Sequence, residues 1–76
     1  MTNPVAKLTQ GFLDRVAATG LSDAATAAAI GVTRQYYSQV RNGEVAPSAR
    51  FMAGAVHAGL ATSFADVAEA VPERAA

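Results

Sequence analysis

Arg34, Gln35, Ser38 and Gln39 lie close together in the stretch GVTRQYYSQVRNG, Gly31 to Gly43. Wound as a helix at about 100° per residue, this stretch places Gln35, Ser38, Gln39 and Asn42 on one side, with Arg34 at their edge. Tyr37 and Val40 fall on the other side, and Tyr36 lies at the margin. The polar side holds hydrogen-bonding groups of the kinds that read base edges, since arginine can meet guanine, and glutamine adenine, at two points each. A merely solvated helix also needs a polar face, but such a face ordinarily mixes both signs of charge. This one carries no carboxylate. Tyr36 has two readings: a core residue, or a hydroxyl that reaches a phosphate.

A reading face needs a scaffold, and 76 residues supply one small domain, 1–76, that buries only about 60% of its unfolded surface. The chain has no cysteine, which excludes disulfides, thiolate metal sites and a Cys nucleophile and fits a reducing cytosol. Its first residues show no basic head followed by an apolar run, and no stretch approaches the roughly 20 apolar residues of a membrane span. No membrane association is expected. Formal net charge is zero, yet the charges are unevenly placed. Arg34, Arg41 and Arg50 face only Glu44 in the middle of the chain, whereas Asp66, Glu69 and Glu73 outnumber Arg74 at its end. Such a distribution permits a nucleic-acid face in the middle and disfavours one at the tail.

The abundant alanine favours helix throughout, and no strand is expected. Asn3 as cap and Pro4 at the first helical position open a helix over 4–19, with Val5, Leu8, Phe12 and Val16 as its apolar stripe. Gly20 ends it, and Gly11 within it marks a close helix contact. Ser22 caps a second helix, 23–30, whose Ala24, Ala27 and Ala28 let a neighbour approach. Gly31 and Val32 then lead to Thr33, the cap of a third helix, 34–41. Two helices joined by so short a glycine-containing turn make a helix-turn-helix. Ser48 opens a fourth helix, 48–58, with Phe51, Met52, Ala55 and Val56 inward and Gly59 closing it. Thr62 or Ser63 opens a fifth, 63–71, with Phe64, Val67, Ala68 and Val71 along one stripe, and Pro72 ends it. Residues 72–76 form a frayed tail. The expected fold is all-α with five helices.

The run LSDAATAAAIGVTRQYYSQVRNGEVAPSARFMAGAVHAGL resembles the helix-turn-helix of the phage repressor and Cro-like family, the lambda-repressor-like domain. Ala27, Gly31, Val32 with Thr33, and the inward Tyr37 and Val40 carry the resemblance. Asn42-Gly43, Pro47-Ser48 and Gly59-Leu60 extend it. It implies base readout by Arg34, Gln35 and Gln39 with help from Ser38. It also places Thr33, Tyr36, Arg41, Asn42 and Gly43 near the DNA backbone, with Asn42 and Gly43 offering backbone N–H groups. Members commonly bind palindromic operators as dimers, which sets half-sites roughly 34 to 36 Å apart. The fifth helix, through Phe64, Val67 and Val71, is the expected dimer interface.

One position departs from the family pattern. The first residue of the second helix is often a phosphate-contacting glutamine in this family, whereas here it is Asp23. Either Asp23 turns aside as a helix cap, or the protein binds DNA more weakly or docks differently.

No enzyme is expected. His57 stands alone on the outer side of the fourth helix, the carboxylates are dispersed, and no glycine-rich phosphate loop is present. No metal, cofactor or small-molecule substrate is implied. The expected function is sequence-specific binding of double-stranded DNA by a dimeric transcriptional regulator, a repressor acting by occlusion in a bacterial or phage-infected cytoplasm, at the nucleoid. The alternative is a helix-turn-helix that binds another protein, as an anti-repressor or toxin partner does, through the acidic and apolar fifth helix. Burial of Arg34 or Gln35 under another element would favour that alternative.

Overall fold

Four hydroxyl side chains start four helices in the same way. Thr9, Ser22, Thr33 and Ser48 each adopt extended backbone and accept a 3.1 Å hydrogen bond from the N–H three residues on, which satisfies a donor that the helix leaves open. The computed structural model describes residues 4–72. In chain order the elements are β1 (Pro4–Leu8), α1 (Gln10–Thr19), α2 (Asp23–Ile30), α3 (Arg34–Arg41), α4 (Ala49–His57), α5 (Phe64–Val67) and β2 (Ala68–Pro72). The expectation of an all-α fold is therefore corrected: five helices are joined by a small two-stranded sheet.

β1 pairs with β2 antiparallel, from Pro4 opposite Pro72 to Leu8 opposite Ala68. Residues 4–8 had been expected to begin the first helix, because Val5, Leu8 and Phe12 also satisfy a helical period. Pairing with the far end of the chain overrides that local preference. Lys7 stands opposite Glu69, an opposite-charge cross-strand pair, and both are exposed, whereas Ala6, Leu8 and Ala68 are half-buried. Thr9 takes over the capping role expected of Asn3, a residue outside the described range. Its N–H also donates to the Val67 carbonyl at 2.9 Å and its hydroxyl to that of Asp66 at 2.7 Å. At this junction β1 gives way to α1 on one segment and α5 to β2 on the other.

The expected fifth helix, 63–71, shrinks to the single turn of α5. Ser63 stands at its start without a side-chain capping bond, and at Ala68 the backbone becomes extended. Thr62 performs the local work instead: its N–H donates to the Asp66 carboxylate at 3.1 Å, and its hydroxyl donates to the same oxygen.

Phe51 of α4, fully buried, is the hub of the core. Phe12 and Tyr36 meet its ring edge-on with centroids 6.2 and 6.1 Å away, and Tyr37 stacks parallel to it at 6.2 Å. Ala27, Ile30, Val40, Ala55, Leu60, Ala61 and Val67 complete the buried cluster. The tight helix contact is made by Gly54, not by Gly11. A Cβ at Gly54 would stand 1.9 Å from the Ile30 carbonyl oxygen, whereas one at Gly11 would meet nothing within 4 Å. Of the three alanines expected to admit a neighbour, only Ala27 is buried; Ala24 and Ala28 are exposed. Among the described residues no helix is long and apolar enough to cross a membrane.

Candidate nucleic-acid interface

The turn between α2 and α3 depends on Gly31, whose φ of +93° lies in the left-handed region that side chains disfavour. That conformation lets the N–H groups of Gly31 and Val32 both donate to the Ala27 carbonyl, at 2.9 and 3.0 Å, and stops α2. Thr33 then caps α3, and the buried Tyr37 and Val40 anchor its inner face. What remains outward follows from that anchoring.

Arg34 and Gln35, at the start of α3, are exposed, while Ser38 and Gln39 one turn later are half-buried. These four residues line one open groove of about 620 Å³ together with Glu44. Glu44 was not anticipated from the sequence. The turn at Asn42 and Gly43, where Gly43 has φ +79°, folds the chain back so that the Glu44 N–H reaches the Gln39 carbonyl at 2.8 Å. The Asn-Gly pair is the signal that could have found it, since such a turn returns the following residue over the last turn of the helix. The groove therefore mixes donors with one carboxylate acceptor, the kind of group that can accept from cytosine N4.

The expected backbone-contact residues divide. Thr33 is exposed; its oxygen accepts the capping bond, which leaves the hydroxyl proton free to donate. Tyr36 is engaged within the chain: its hydroxyl accepts from the Ser48 N–H at 3.0 Å and donates to the Ala46 carbonyl at 3.4 Å, so it clasps the loop before α4. The N–H groups of Asn42 and Gly43 are engaged likewise. They donate to the carbonyls of Ser38 at 2.9 Å and Val40 at 3.1 Å, closing the end of α3. The Asn42 side chain remains exposed.

Arg41 is drawn back to the start of α2. Its Nη1 donates to Asp23 Oδ1 at 2.7 Å, and its guanidinium carbon lies 5.8 Å from the Tyr37 ring centroid. This is the one ion pair among the described residues. Asp23 is thus not the helix cap, a role that Ser22 fills. The Tyr37 hydroxyl is raised above its ordinary pKa, first by burial and then by the Asp23 charge, with Arg41 opposing.

A second concavity, of about 380 Å³, lies between the starts of α3 and α4 and is lined by Thr33, Tyr36, Ser48 and Arg50 among others. Arg50 is exposed and was not singled out from the sequence. The expected dimer stripe does not form one surface. Val67 is fully buried in the chain's own core, Val71 is half-buried in β2, and Phe64 alone is well exposed, at 48%. His57 is exposed in the last turn of α4.

Two short helices across a glycine turn, the second anchored by aromatic packing and polar outward, define a helix-turn-helix of the DNA-binding class. The family profile described as helix-turn-helix, of the Cro/C1 type, matches residues 14–53, more than half of the chain, and the chain belongs to that family. Its domains are DNA-binding regulators. No curated protein and no solved structure matches the chain.

Proposed function

We propose that this protein reads a specific sequence in double-stranded DNA by inserting α3 into the major groove, and that it regulates transcription as a repressor. The observation that carries the reading is the exposure of Arg34 and Gln35 at the start of a helix whose opposite face is locked by Tyr37 and Val40. An arginine there suits guanine and a glutamine adenine. Ser38, Gln39 and Glu44 extend the readout along the groove, while Thr33, Arg50 and the Asn42 side chain serve the backbone. Two copies on a palindromic operator would set their α3 helices roughly 34 to 36 Å apart. Phe64 and Val71, which keep exposed area, are the residues left for such a dimer. A repressor of this kind occludes polymerase and acts in the cytoplasm, where the DNA is.

Selection of binding sites from a random duplex pool at low salt tests the reading, with Arg34→Ala/Gln35→Ala as the control. The expected result is a two-fold symmetric motif that the control loses. Absence of enrichment for the folded wild-type protein would sink the proposal and favour the protein-interaction role.

A further inference from the structure

Asp23 and Arg41 lie 18 residues apart in sequence, on different helices, and meet at 2.7 Å. Their side chains are 35% and 39% exposed, so the pair sits at the surface rather than in the core. Arg41 is seven residues, close to two helical turns, after Arg34, which places both on one line of α3 with Ser38 between them. An α-helix with its side chains is about 10–12 Å across and the major groove about 12 Å wide, so side chains along the flank of an inserted helix reach the phosphate rim. The start of α2 lies on that same flank, because the first helix of the motif crosses the backbone. Arg41 is therefore the cation of α3 best placed for a phosphate, and it already holds a carboxylate.

From this geometry we infer that Asp23 is a built-in brake on DNA affinity, standing in for a backbone phosphate on Arg41. The inference rests on the DNA-binding reading above and deepens it. Binding requires Arg41 to exchange a carboxylate oxygen for a phosphate oxygen, so the arginine gains little by docking. Base readout by Arg34 and Gln35 is untouched by this exchange. The brake thus lowers affinity for all DNA alike and leaves discrimination among sequences to the exposed groove. Asp23 acts through Arg41 and is a positioning residue, not a contact.

The test compares wild type, Asp23→Asn, Arg41→Ala and the double variant by fluorescence anisotropy on a generic mixed-sequence duplex over a salt series, with folding checked by circular dichroism. Asp23→Asn keeps the shape and the Ser22 cap. Its expected effect is tighter binding, by about three- to tenfold at low salt, and a salt dependence steeper by about 0.9 in log–log slope, one released counterion. Neither change should appear in the Arg41→Ala background. Unchanged or weaker binding by folded Asp23→Asn, with wild type binding, would overturn the brake and leave the pair a structural clasp. Tightening that persists without Arg41 would overturn the exchange and leave only charge repulsion. Failure of all four folded proteins to bind duplex would overturn the DNA reading itself, and the brake with it.

Discussion

The middle of this molecule and its two ends are held by different physics. From α2 to α4 the chain is fastened by caps that act across three residues and by aromatic rings gathered on Phe51. The ends are fastened by one two-stranded ribbon and by Thr9, whose bond to Asp66 spans 57 residues. A two-stranded sheet is marginal alone and gains its stability from what it packs on, here through the half-buried Leu8 and Ala68. α3 thus belongs to the part that contacts near in sequence stabilise, and the ribbon is expected to open first.

The largest expected effect comes from removing the hub. Phe51→Ala empties the space on which Phe12, Tyr36 and Tyr37 pack, and a buried phenylalanine so truncated costs about 3–5 kcal/mol. A domain of this size has roughly 4 to 11 kcal/mol in all. Chemical denaturation should show most of the stability gone, with α3 and the ribbon lost in one transition. Survival of the ribbon in a folded remnant would break the comparison by showing that the ends stand alone.

Next comes Gly54→Ala. The added methyl meets the Ile30 carbonyl and must push α2 and α4 apart, an overpacking of about 1–3 kcal/mol. Because α2 carries the turn into α3, the same displacement should weaken DNA binding, as read by anisotropy on the folded variant. Loss of stability alone would show that α3 is positioned by Phe51 and not by the α2–α4 contact.

These two regions also differ in how far they were legible before folding. Ser22, Thr33 and Ser48 cap as expected, because a cap and its recipient N–H are neighbours and the residue type carries the chemistry. The inward pair Tyr37 and Val40 follows from helical period alone. The strand Pro4–Leu8 was hidden because Val5 and Leu8 also fit a helix and its partner is at the other end of the chain. Val67 was misassigned to a partner's surface for the same reason: the strand beyond it turns that part of the chain into the core. The outward positions of Arg34 and Gln35 were legible from the wheel, whereas the hold of Asp23 on Arg41 and the return of Glu44 to the groove depend on how helices and turns pack. Periodicity places a side chain on a face; it does not say what that face meets.

Thr9 is where the two regions join, and Thr9→Ala sharpens the contrast. The variant loses the α1 cap and the bond to the Asp66 carbonyl together, with an expected cost of about 1–2 kcal/mol. Amide hydrogen exchange should accelerate in β1, β2 and the start of α1 while α3 keeps its protection. Equal acceleration everywhere would mean that the chain opens only as a whole.

The smallest effect is a pH dependence confined to the ribbon end. The hydrogen bonds from the Thr62 hydroxyl and N–H hold the Asp66 carboxyl below its ordinary pKa. Folding therefore favours the ionised form. The contribution is complete above the unfolded aspartate value of about 3.9 and is lost as pH falls below it through the lower folded value. Because Asp66 is at the surface, the loss should be slight and should appear as faster exchange around α5 in acid, before α3 responds. Asp66→Asn should flatten that local dependence and leave the rest of the acid profile intact. An unchanged profile in the variant would assign the acid response to other carboxylates and would detach Asp66 from the fastening of the chain ends.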